Sequence, residues 1–192
     1  MSDSTAPKLI VVLGWPFSGK TSLAEKLRDR LGLHHIDIDE VRWLMVGKPH
    51  PRPNESPELM KRDGQEMGMA YRLLIAGAHE NLALGRSLII TATFSRKVGQ
   101  QNLSDLMAKH EQAQLKIIQC VPAGDTPEEI ARRMARRDFG DGGYKGAVNS
   151  PERYYEVRDR YEKIELPHLE IRTWGASTIE AEVDEALKYI DE

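Results

Sequence analysis

The sequence predicts an α/β fold, a parallel sheet covered by helices on both faces. Three observations predict it: short runs rich in Ile, Val and Leu, helical segments separating them, and a glycine-rich turn joining the first run to the first helix. The runs are KLIVVLG (8 to 14), HHIDI (34 to 38), SLIITAT (87 to 93), LKIIQCV (115 to 121) and HLEIRT (168 to 173). Each is too short for a helix and ends at turn-forming or polar residues. Helix starts follow from capping hydroxyls at Ser56-Pro57-Glu58, Thr126-Pro127-Glu128-Glu129, Ser150-Pro151-Glu152 and Ser177-Thr178-Ile179-Glu180. Residues 46 to 57 hold four prolines and read as an irregular loop. The stretch from Pro57 to about Leu84 reads as two helices or one kinked helix, because Gly64, Gly68 and Gly77 weaken a single rod.

At 192 residues the chain suits one domain, 1–192, with a substantial core. A formal net charge of -3 with dispersed Lys and Arg argues against a general nucleic-acid coat, though not against a local basic groove. The polar start and the absence of a long apolar run predict a cytoplasmic protein without a membrane span. Cys120 is the one cysteine and lies in an apolar run, so it reads as a small buried residue. The six histidines lack metal-ligand spacing, and no zinc site is expected.

Gly14-Trp15-Pro16-Phe17-Ser18-Gly19-Lys20-Thr21 satisfies G-x-x-x-x-G-K-[ST], directly after a strand and before the amphipathic helix TSLAEKLRDRL, which continues through Ser22. Glycines let the chain curl so that backbone N–H groups converge, and the helix N-terminus adds partial positive charge where phosphates would lie. Lys20 would neutralise β- and γ-phosphate charge and the Thr21 hydroxyl would ligate Mg²⁺, so the expected ligand is ATP with Mg²⁺. Phe17 departs from the small residue usual at its position; it either crowds the loop or walls one side of an acceptor site.

Asp37 and Asp39, two apart at the end of the second predicted strand, are expected to point the same way beyond its carboxyl end, where α/β sheets bind ligands. Like charges so close call for a cation or a proton-transfer task. With the loop, Asp37-Ile38-Asp39, Arg42 and the late stretch YEKIELPHLEIRT, the chain resembles the small P-loop kinases. That group includes gluconate, shikimate, adenylylsulfate and chloramphenicol kinases and polynucleotide 5′-hydroxyl kinases. The resemblance implies a P-loop NTPase fold, a three-layer sandwich whose five-stranded parallel sheet runs 2-3-1-4-5, with a mobile lid at about 125–163. It further implies Asp39 as the base for the acceptor hydroxyl, Arg42 as a hold on the acceptor or γ-phosphate, and Asp37 as a hold on a Mg²⁺-bound water. The alternative has Asp39 capping a helix that begins near Glu40, with Arg42 solvated.

The segment EEIARRMARRD looks like a lid helix. Glu128 with Arg132 and Glu129 with Arg133 form i,i+4 pairs, so those arginines have a purely solvated reading. Arg133 and Arg137 share a helix face and best resemble the lid R-x-x-x-R; a shifted register would favour Arg132 and Arg136. Lid arginines stabilise charge on a transferring phosphoryl group. The turn Trp174-Gly175-Ala176 either borders adenine, as the resemblance implies through Gly175, or is a plain turn before a cap at Ser177. Tyr154 and Tyr161, seven apart, read as one face of a helix packed into the core.

Two departures concern the acceptor. Thr91 stands where many of the resembling kinases carry an aspartate, and Gln100 and Gln101 stand where an arginine is frequent. Thr93 and Phe94 either line the acceptor pocket or pack the strand end. The expected activity is ATP-dependent phosphoryl transfer to a hydroxyl of a small polar acceptor, with ATP over GTP implied by the resemblance. Alternatives are a polynucleotide 5′-hydroxyl kinase, a nucleotide-sugar kinase toxin, and a non-enzymatic ATP-operated switch.

Overall fold

The computed structural model describes residues 6–47, 57–136, 148 and 150–192. Their elements run β1 (Lys8–Gly14), α1 (Lys20–Leu31), β2 (His34–Asp37), α2 (Ile38–Val46), α3 (Pro57–Ala83), β3 (Leu88–Ala92), α4 (Lys97–Ala108), β4 (Gln114–Pro122), α5 (Pro127–Arg136), α6 (Pro151–Asp159), β5 (Leu169–Thr173) and α7 (Ile179–Asp191). The sheet has five strands in the order β2-β3-β1-β4-β5, all paired in parallel. Among the described residues no helix is long and apolar enough to cross a membrane.

The period of two along β1 divides the core. Leu9, Val11 and Leu13 face α3 and α4, whereas Ile10 and Val12 face α1 and α7, and all five are fully buried. A central strand covered on both faces must be apolar throughout, which is why KLIVVLG shows no alternation. Cys120 is buried on the α1 face, and burial pushes its thiol up to about 12, so it stays a protonated apolar filler.

The segment from Pro57 is one continuous helix, which rules out the two-helix alternative. Ala70, Leu74, Ala78 and Leu82, each four residues on, are completely buried and form a stripe long enough to outweigh three glycines. At Gly77 a β-carbon would sit 3.5 Å from the Ile36 side chain, so the helix approaches β2 closely there. At Gly64 and Gly68 a β-carbon would meet nothing within 4 Å. Of the four expected caps, Ser56 lies outside the described residues, two follow the sequence and one shifts by a residue. Thr126 and Glu129 form a reciprocal capping box, and Ser150 accepts from the Arg153 amide. At α7 the cap is Thr178, which accepts from Ala181; the Ser177 hydroxyl instead donates to Glu182.

His79 of α3 and His110 beyond α4 pair through Nδ1 and Nε2 at 2.7 Å. Burial, with repulsion from His79 and Lys109, lowers the His110 pKa below the ordinary 6.5. The unfolded chain therefore binds a proton there that the folded chain resists, so stability falls as pH drops below 6.5. Thermal unfolding across this range should show the loss, and His110→Gln, which has no proton to gain, should flatten it. An unchanged slope in that variant would place the acid sensitivity elsewhere.

Candidate active site

The chain leaves β1 at Gly14, whose φ of 151° lies in the region that favours glycine; a β-carbon would meet the Cys120 carbonyl at 2.5 Å and the Ser18 hydroxyl at 2.6 Å. Gly19 (φ 82°) is the N-cap of α1. Between them Phe17 also holds a positive φ, 59°, and its ring packs beside Ile130, Val148 and Tyr154 of the α5 and α6 cluster. Phe17 thus packs against the α5–α6 side while also lining the cavity over the loop.

The turn between β5 and α7 clasps this loop. Thr173 Oγ1 donates to the Ser18 carbonyl at 2.7 Å and Trp174 Nε1 to the Phe17 carbonyl at 2.9 Å. A trans peptide opposes its N–H to its C=O, so holding the Ser18 carbonyl against β5 turns the Gly19 amide away from it. A cavity of about 420 Å³ opens over Phe17 to Ser22 and is also lined by Arg133, Arg136 and Trp174. A neighbouring cavity of about 690 Å³ shares Gly19, Ser22 and Trp174 and extends along Gly175 and Ile179. Both volumes lie in the range of ligand sites. The Lys20 ammonium donates to the Trp15 carbonyl at 3.3 Å within the loop.

β2 ends one residue earlier than expected, and the paired carboxylates separate. Asp37 is the last strand residue and the N-cap of α2, accepting from the Asp39 amide at 2.8 Å, whereas Asp39 lies in the first helical turn. The two therefore do not share a pleat, and the cap is Asp37, not Asp39. Asp37 Oδ2 accepts from Thr91 Oγ1 at 2.6 Å and lies 3.4 Å from the Thr21 hydroxyl. Arg42 is not solvated: it is 5% exposed, and its Nη2 donates to Asp63 at 3.1 Å and to Glu66 at 2.9 Å. Its guanidinium beside Glu66 holds that carboxyl below the usual carboxylate range. One Arg42 nitrogen is thereby committed to α3 rather than to the open cleft.

On α5, Arg133 is 3% exposed. Its Nη2 donates to the Gly124 carbonyl, its guanidinium lies 5.3 Å from the Trp174 ring centre, and among the described residues Nε and Nη1 have no hydrogen-bond partner. The solvated i,i+4 reading of Arg133 fails, because Glu129 turns back to the Thr126 amide. Arg136 lines both cavities, as the shifted register offered; Arg137 and the glycine-rich stretch after it lie outside the described residues.

Beyond β3, Phe94 is buried with a φ of 44° and packs edge-on against Tyr71 at 5.4 Å. The Tyr71 hydroxyl meets Thr93 Oγ1 at 2.9 Å and accepts from the Phe94 amide at 3.1 Å. Burial raises the Tyr71 phenol's pKa, and the nearby Asp39 carboxylate adds to the rise. Tyr161 lies past the end of α6, off its face; its hydroxyl donates to the Thr93 carbonyl at 2.9 Å and its ring meets Trp15 at 6.0 Å. Tyr71 and Tyr161 thus frame the strand end beside Asp39, a pairing no spacing in the sequence announces. Gln100 binds the Lys163 carbonyl and the Glu165 amide, so it ties α4 to the segment before β5.

This sheet order, with G-x-x-x-x-G-K-T between β1 and α1, defines a P-loop fold of the small-kinase class. Residues 9–148 match the AAA_33 family, described as AAA domain, and the chain belongs to it. A crystal structure from Chloroflexus aurantiacus J-10-fl, of a protein proposed to be a kinase, is 25% identical with a TM-score of 0.71, covering 97% of each chain. A sugar kinase from Janibacter sp. HTCC2649 is 19% identical at TM-score 0.61, covering 96% of this chain and 95% of that one. The Mycobacterium tuberculosis APS kinase in complex with AMPPNP and APS is 14% identical at TM-score 0.64, covering 97% and 99%. No curated protein matches the chain at a significant level.

Proposed function

We propose that the chain is an ATP- and Mg²⁺-dependent phosphotransferase acting on a hydroxyl of a small polar acceptor. The observation that carries this reading is Arg133, buried over the phosphate loop with Nε and Nη1 unpartnered among the described residues. Such donors are costly to bury without an anion to receive them. The AMPPNP-bound APS kinase, similar in fold, supports a nucleotide as that anion.

The donor set fits Mg²⁺. Thr21 Oγ1 and Asp37 Oδ2, oxygens 3.4 Å apart, would hold the ion, since Mg²⁺ usually takes one or two protein oxygens and completes its shell with phosphate and water. When bound, the ion supplies positive charge that offsets the phosphates. Lys20 would move from the Trp15 carbonyl to the β- and γ-phosphates, and Arg133 would meet charge developing on the transferred group. Arg136 lines the same cavity, and Arg137, outside the described residues, would share this task. Asp39 would orient the acceptor hydroxyl and take its proton as the acceptor oxygen bonds to the γ-phosphorus. The bond from that phosphorus to the bridging oxygen breaks, and its electron pair leaves on ADP. Arg42 would act by fixing α2 against α3 and so aiming Asp39. Gly175 would border the base in the second cavity. The unit is one domain over 1–192 whose α5–α6 region, about 125–163, closes over the loop and keeps water out.

ADP release above the acceptor-free rate, measured across sugars, nucleosides, nucleotide sugars and 5′-hydroxyl oligonucleotides, tests the proposal. A small hydroxyl compound is expected to stimulate it. Stimulation confined to oligonucleotides, weakening steeply with salt, would make the chain a polynucleotide kinase instead. No stimulation, with ATP-dependent binding of a partner, would make it a switch.

A further inference from the structure

Asp37 and Thr91 are register partners on β2 and β3, and His35, two residues before Asp37, shares its face. This face lies against α1. Thr91 is completely buried and Asp37 is 7% exposed. A carboxylate only accepts, so the Thr91 hydroxyl proton is the donor in the 2.6 Å contact with Asp37 Oδ2. With that proton committed, the 2.8 Å contact between Thr91 Oγ1 and His35 Nε2 requires the ring nitrogen to donate. The chain is directional: His35 Nε2–H to Thr91, Thr91 O–H to Asp37.

Helix capping needs only the other oxygen, since Oδ1 receives the Asp39 amide. The Thr91 and His35 branch acts on Oδ2, the oxygen nearest the Thr21 hydroxyl. A valine would fill the Thr91 space between β strands equally well, so packing does not account for a hydroxyl there. We propose that Thr91 and His35 are positioning residues that fix Asp37 Oδ2 toward Mg²⁺, letting β2 deliver the carboxylate that β3 does not carry. The proposal rests on the nucleotide reading of the site.

Calorimetric ATP binding, with Mg²⁺ and with excess chelator, tests it. Thr91→Val should raise the Mg²⁺ needed for half-maximal tightening by about 10-fold, the lower end for loss of an outer-shell partner, with chelator-bound affinity unchanged. His35→Leu should move it in the same direction, and His35→Gln, whose amide donates from a similar point, should restore it. Wild-type Mg²⁺ dependence in both Thr91→Val and His35→Leu would overturn the proposal. Should Thr91→Val fail to fold, the two His35 variants decide alone, and equal behaviour of Leu and Gln overturns it. ATP binding that ignores Mg²⁺ in the wild type would remove the nucleotide reading itself, a result distinct from loss in the variants.

Discussion

Lys20→Ala is expected to abolish phosphoryl transfer while leaving the protein folded. The ammonium sits at the first residue of α1 and rests on the Trp15 carbonyl at 3.3 Å, a part-buried contact that water can replace at little cost. In the reaction the same charge would lie on the β- and γ-phosphates, where water cannot substitute for it. Loss of one preorganised electrostatic donor costs about 3 kcal/mol, or at least 10²-fold in rate. The purified variant should keep its thermal midpoint and lose turnover. Transfer within a few-fold of wild type would remove the phosphate-loop reading.

Asp39→Asn is expected to slow transfer by about 10² to 10⁴, the usual worth of a positioned base, with little change in ATP-Mg²⁺ affinity. The geometry separates this effect from stability. Asp37 is the cap of α2, so asparagine at Asp39 leaves the cap intact and removes one charge from the first turn. That charge favours the helix dipole by about 0.3 to 1 kcal/mol, which sets the expected stability loss. If Asp39→Asn instead turns over normally and unfolds earlier, the carboxylate is structural, and the base lies elsewhere along the Tyr71 and Thr93 wall.

What the sequence made legible follows the strength of local signals. The five strands, the loop and the capped starts of α5 and α6 stand as read, because each depends on a run of apolar residues or on a hydroxyl placed three residues from its amide. Asp37 and Asp39 were harder. A strand end and a helix start compete for the same residues, and a one-residue shift reassigns both carboxylates. Three glycines hid the continuity of α3, since its buried stripe outweighs local propensity only once the sheet is present. Arg42 and Arg133 each had a solvated alternative beside the site reading; the burial that removes it depends on α3 and on Trp174, distant in sequence. Tyr71 and Tyr161 both reach Thr93, from 22 and 68 residues away, so no local signal in the sequence pairs them.

The clasp from Thr173 and Trp174 onto the Ser18 and Phe17 carbonyls joins residues 155 and 157 positions apart. During synthesis the phosphate loop emerges early and its clasp emerges late, after four strands of the sheet. Contacts this distant in sequence form only once the intervening chain has condensed. A nascent chain lacking β5 and the turn after it would carry every residue of G-x-x-x-x-G-K-T without the hold on its Phe17 and Ser18 carbonyls. On the proposed nucleotide reading, the loop would therefore take its binding shape only after the last strand has been made.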